Sequence, residues 1–79
     1  MPYKEKFPVG TQVRIKAKLF LEKFKAEWKY HHPLSVDQIQ AASRVDRIRK
    51  VGFYQGGDVL YDLEHTPGTW HEECLEPAI

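Results

Sequence analysis

The chain has 79 residues, 42% hydrophobic, 13% aromatic and 29% charged, with a net charge of +1, which excludes a disordered polyelectrolyte and describes one folded domain. A domain this small buries only about 60% of the surface its unfolded chain exposes, which argues against a two-domain arrangement or a deep enclosed substrate cavity. No apolar run approaches the ~20 residues of a membrane-spanning helix, no apolar segment follows the charged start to act as a signal peptide, and the single cysteine, Cys74, excludes an intramolecular disulfide, so a cytoplasmic protein is expected.

Phe7-Pro8-Val9-Gly10 is a turn signal. Over Gln12 to Leu19 the residues then alternate, Val13, Ile15, Ala17 and Leu19 on one side and Arg14, Lys16 and Lys18 on the other, the period of a half-buried strand. Residues 20 to 34 are ambiguous: Phe20, Leu21, Phe24 and Trp28 recur at helical spacing, yet aromatic residues also suit strands. Pro33 turns the backbone of His32 away from helix. Ser35-Val36-Asp37-Gln38 has the form of a capping box, which predicts a short helix over about 36 to 43.

A strand is expected from about Arg44, in which Val45 and Ile48 can both face inward only through a bulge. The Gly-rich stretch Val51 to Asp58 then reads as a hairpin connection to the β-rich run Val59 to Glu64. Thr66-Pro67-Gly68-Thr69 has the type II turn pattern. A short strand at Trp70-His71, one helical turn at Glu72-Glu73-Cys74 and a strand from Leu75 to Ile79 complete the chain.

These elements resemble an SH3-like barrel. The likeness lies in Val9-Gly10-Thr11-Gln12-Val13-Arg14-Ile15, Val45 with Ile48, the hairpin glycines Gly56-Gly57, Tyr61-Asp62-Leu63, Gly68-Thr69-Trp70 and Glu72-Glu73-Cys74-Leu75, and it spans about 55 of the 79 residues. It implies a mainly β domain over residues 1–79, a barrel of about five antiparallel strands, and the chain departs from the usual pattern in residues 20 to 43, a long insertion with a short helix between the first and second core strands where a shorter loop is usual. Tyr30-His31-His32-Pro33 is also similar to a segment in the variable chain of ferredoxin-thioredoxin reductase, a noncatalytic SH3-like subunit that covers a catalytic partner. Nitrile hydratase beta chains and the plasmid-borne dihydrofolate reductase use the same barrel, but the latter's Val-Gln-Ile-Tyr stretch is absent, so no reductase activity is inferred.

The charge divides along the chain. All twelve Lys and Arg lie in residues 1 to 50 with five acids, leaving +7, whereas residues 51 to 79 carry six acids and no Lys or Arg, leaving −6. This marks either an interaction face or segments that neutralise each other across neighbouring strands.

Few constellations suggest chemistry. Cys74 and His71 stand three apart, but Glu72, Glu73 and Glu76 around them oppose a thiolate, and a packing cysteine is the simpler reading. His31, His32, His65, His71 and Cys74 lack paired zinc-ligand spacings, so no metal or other cofactor is expected. Glu72 and Glu73 diverge as neighbours, and the glycines match no phosphate loop.

Two binding classes stay open. A basic face of Arg14, Lys16, Lys18, Arg47 and Arg49, flanked by Lys23, Lys25, Lys29, Arg44 and Lys50, could follow a nucleic-acid backbone, although the isoelectric point of about 7.9 falls short of the ~9 typical of such domains. Alternatively, exposed aromatics, with Trp28, Phe53, Tyr54 and Trp70 as candidates, could dock a protein partner; core packing is the competing account of Trp70 and Tyr61. The expectation is a noncatalytic binding module or accessory subunit that docks a protein, with nucleic acid as the alternative. Self-association through Leu19, Phe20, Leu21, Phe24 and Trp28 is a further reading.

Overall fold

The computed structural model describes residues 4–28, 32–54 and 57–78. Its elements are β1 (Gln12–Ile15), α1 (Lys18–Glu27), α2 (Val36–Gln40), β2 (Val45–Phe53), β3 (Val59–Leu63), β4 (Thr69–His71), a 3-10 turn (Glu72–Cys74) and β5 (Leu75–Pro77). The strands form one antiparallel sheet in the order β4-β3-β2-β1-β5.

β1 starts as the alternation predicts, with Val13 and Ile15 buried, but it ends at Ile15 rather than Leu19. Ala17 is the extended residue before α1, and Leu19 is left 81% exposed. The helical spacing of Leu21, Phe24 and Trp28 overrides the alternation here, because it sets Leu21 and Phe24 in the core from a single helix face. The ambiguous segment is thus helical to Glu27. The insertion therefore holds two helices rather than the single one expected, and it begins at Lys18.

The second helix follows its capping box. Ser35 Oγ accepts from Gln38 N–H and Gln38 Oε1 accepts from Ser35 N–H, so two otherwise orphaned donors are satisfied. The helix is shorter than expected, ending at Gln40, and Ser43 at φ 68° swings the chain into β2. His32 has a left-handed φ of 54°, a turned rather than helical conformation.

Along β2, Asp46 and Ile48 point inward and Val45 is exposed. A bulge does occur, but it falls between Ile48 and Lys50, beyond the pair for which it was expected. At the β2-β3 connection Tyr54 N–H donates to Asp58 O at 3.0 Å and Gly57 adopts φ 90°; Gln55 and Gly56 of the expected Gly-rich hairpin lie outside the described residues. Gly68 has φ 103°, the conformation that the third position of a type II turn demands. β5 begins at Leu75 as expected and ends at Pro77; Ile79 lies outside the described residues.

The core joins Val13 and Ile15 of β1, Leu21 and Phe24 of α1, Ile48, Tyr61, Leu63, Trp70, Cys74 and Leu75, with Phe7 and Leu34 contributed by loops. At roughly 25 cal/mol per Å² of apolar surface removed from water, such aromatic and aliphatic side chains dominate the stability of the fold. Among the described residues, no helix is long and apolar enough to cross a membrane.

Candidate partner-docking surface

The four aromatics singled out in the sequence separate into different environments. Trp70 is 0% exposed and sits opposite Tyr61 in the β3-β4 register, so it is a core residue and offers no contact surface. The reason is its inward position on a strand between buried Tyr61 and the 3-10 turn. Phe53 and Tyr54, by contrast, are 47% and 42% exposed at the end of β2. Trp28 is half-buried against the core.

Tyr54 is positioned by a glycine. A Cβ at Gly52 would lie 2.9 Å from Tyr54 Cε1, so the absence of a side chain at 52 lets the ring lie back over the strand. His32 meets the ring edge-on, with centroids 5.3 Å apart. The carbonyl of His32 accepts a hydrogen bond from His71 Nε2 at 2.7 Å, which places the proton on that nitrogen. His71 in turn touches Trp28 (centroids 4.8 Å) and Phe24 (5.0 Å), and Phe24 and Trp28 stack at 5.3 Å with planes 12° apart. A strip of side chains therefore runs from the Tyr54–His32 ring pair, across the hydrogen bond between the His71 ring and the His32 backbone carbonyl, to the stacked rings of α1, where Phe20 extends it. Nothing in the sequence brought His71 into this group, because its neighbours lie 39 and more residues away along the chain. Of the Tyr30-His31-His32-Pro33 segment, Tyr30 and His31 lie outside the described residues.

The basic face is not uniformly basic. Arg14 is half-buried and lies opposite Glu76, Lys50 lies opposite Asp62, and Arg49 Nη2 stands 3.8 Å from Asp62 Oδ2. Arg47 is exposed and reaches the carbonyl of Gly10 at 3.4 Å. The positive and negative halves of the chain thus interleave at these positions, as one of the two readings of the charge division holds. Lys16 and Lys18 stand apart from those strand pairs: Lys16 Nζ lies 4.4 Å from the Phe20 ring centroid, and Lys18 is exposed at the start of α1. Lys29 lies outside the described residues.

Two buried polar nodes lie within the fold. Asp46 accepts from Thr66 Oγ1 at 2.6 Å, from Arg47 N–H at 2.7 Å and from His65 N–H at 3.0 Å, with His65 Nδ1 at 3.3 Å. Burial alone would raise its carboxyl; the hydrogen bonds from Thr66, Arg47 and His65 outweigh that and hold it below the usual range. The second node joins the Tyr61 hydroxyl to Glu72, while Lys6 N–H donates to both, at 3.1 and 3.0 Å. Burial, then the hydrogen bond to Glu72, raises the Tyr61 phenol well above its ordinary value. The inward place of Asp46, in phase with Ile48, was a sequence signal of the first node.

Cys74 is fully buried, and burial, followed by the charge of Glu73, pushes its thiol up to about 12, with Lys16 opposing. The thiolate that a nucleophile requires is therefore disfavoured at neutral pH. Among the described residues no group of three His, Cys, Asp or Glu side chains is placed to hold a metal ion.

Comparison with family models, with curated proteins and with solved structures finds no match to this chain.

Proposed function

We propose that the protein is a noncatalytic binding module or accessory subunit, an SH3-like barrel that docks a protein partner. The observation that carries this reading is the exposure of the neighbours Phe53 and Tyr54 in a small chain that buries Trp70 and Tyr61 completely. Rigid aromatic rings with one polar end supply contact area at little entropic cost, and such residues dominate binding energy in protein interfaces. The 3-10 turn at Glu72–Cys74, on the segment that carries the family resemblance, supports the barrel reading. Lys16 and Lys18 beside the strip would orient the partner rather than hold it.

The nucleic-acid alternative is weakened by the acids facing Arg14, Arg49 and Lys50. Affinity capture with the wild-type chain and with Tyr54→Ala, followed by a titration of the captured partner, separates the two. A protein retained by the wild type and bound about tenfold or more weakly by Tyr54→Ala supports docking. Binding of mixed nucleic acid that falls steeply with salt, is lost in Lys16→Glu with Lys18→Glu and is indifferent to Tyr54→Ala overturns it.

A further inference from the structure

Beyond its bulge, β2 runs on without β1 beside it. β1 pairs with Val45 to Arg47, and the last hydrogen bonds on that side join Ile48 to Gly10 and Thr11. On the other side Tyr54 N–H donates to Asp58 O, and bonding alternates along an antiparallel pair. Gly52 and Lys50 therefore bond to β3, while Val51 and Phe53 turn their N–H and C=O groups the opposite way. Among the described residues, nothing hydrogen-bonds to those outward groups. The outer strands of the sheet are better guarded: Gln38 bonds to Thr69 O of β4, and β5 ends in Pro77, which has no N–H. Val51-Gly52-Phe53 carries neither charge nor proline, the usual devices that blunt an edge.

We propose that this edge pairs with the same edge of a second copy of the chain, antiparallel about a twofold axis at Gly52, to form a homodimer with a continuous sheet. The register uses only groups that already point outward. Val51 exchanges N–H···O bonds with Phe53 of the second copy, and the twofold repeats the exchange. The side chains are self-complementary in that register. Val51 meets Phe53, a β-branched residue against an aromatic one; Lys50 faces the ring of Tyr54 rather than another cation; and Gly52 meets Gly52. The Tyr54 rings, each lying back over its own Gly52, come together at the axis. Pairing thus covers Phe53 and Tyr54, the exposed aromatics at the end of β2. The proposal rests on the docking reading, for which it names the partner.

The test is the molar mass of the full chain by light scattering as its concentration rises to about 1 mM, with backbone amide exchange measured by NMR on the same samples. So short a contact should give a Kd on the order of 0.1 mM. The mass should climb from 9.3 kDa toward twice that value, and exchange of the Val51 and Phe53 amides should slow as it climbs. Phe53→Pro deletes an outward N–H without breaking a bond to β3, and Phe53→Lys keeps that N–H while setting a charge against Val51. Each should weaken the dimer about tenfold or more, and Phe53→Lys, at an exposed position, decides the matter if the proline variant does not fold. A mass that stays at 9.3 kDa throughout, or a dimer untouched by Phe53→Lys, would overturn the pairing. Capture of a different protein by a chain that stays monomeric, weakened by Tyr54→Ala, overturns it as well but leaves docking in place, so the two readings fail separately.

Discussion

The side-chain amide of Gln38 donates to the backbone carbonyl of Thr69 at 2.9 Å, while its own oxygen accepts from Ser35 N–H at 3.0 Å. One side chain, 6% exposed, therefore caps α2 and ties that helix to the first residue of the edge strand β4. Gly68 makes room for it: a Cβ there would stand 2.7 Å from Gln38 Nε2, on a backbone already at φ 103°. Gln38→Ala removes the side-chain half of the capping box, leaving the Ser35 Oγ bond in place, and leaves Thr69 O without this donor, so a loss of about 2 kcal/mol is expected in urea unfolding. Gly68→Ala should cost at least about 1 kcal/mol through the strained φ, with more from the displaced amide. Equal midpoints for wild type and both variants would show that α2 is not anchored through Gln38.

The Asp46 node predicts acid sensitivity. Its folded carboxyl lies below the unfolded value, so its contribution is complete above the ordinary aspartate range, near pH ~4, and disappears as pH falls through the lower folded value. Thr66→Val deletes the 2.6 Å hydrogen bond and should cost about 2 kcal/mol at neutral pH, the worth of a bond to a charged group. Stability measured against pH should fall less steeply below pH ~4 in this variant than in the wild type.

Alkaline behaviour should follow Tyr61. Its folded phenol is raised, so its contribution is present below the unfolded value near 10 and is lost as pH climbs toward the higher folded one. Wild-type stability should therefore decline above pH ~10, and Tyr61→Phe should lack that part of the decline while being less stable at pH 7. A parallel pair of pH curves would refute the assignment.

Large side chains of similar type should differ sharply in what they support. Trp70→Ala empties the centre of the core and should cost about 3–5 kcal/mol, enough to unfold much of the population at 25 °C. Leu19→Lys, on the exposed turn of α1, should stay within about 0.5 kcal/mol. Circular dichroism melts of the two variants check the separation.

By itself, the sequence determined the local elements: the inward Val13 and Ile15, the capping box at Ser35, the turn at Gly68 and the helical turn at Glu72–Cys74. Each of these depends on interactions within a few residues, so backbone and side-chain chemistry nearby is enough to specify it. Residues 16 to 19 continued the strand period and residues 20 to 28 combined helical spacing with strand-compatible aromatics, and only the tertiary structure decided between them, because burial of Leu21 and Phe24 against the sheet outweighs the alternation that would have buried Leu19. The docking surface was legible in part. Phe53 and Tyr54 could be named from composition and position, whereas Trp70 could not be told from them until its strand register turned it inward. The strip through His71 and the pairing of Arg14 with Glu76 and Lys50 with Asp62 join residues that are distant along the chain. Such contacts are set by strand order, and strand order is a property of the whole packed sheet rather than of any segment.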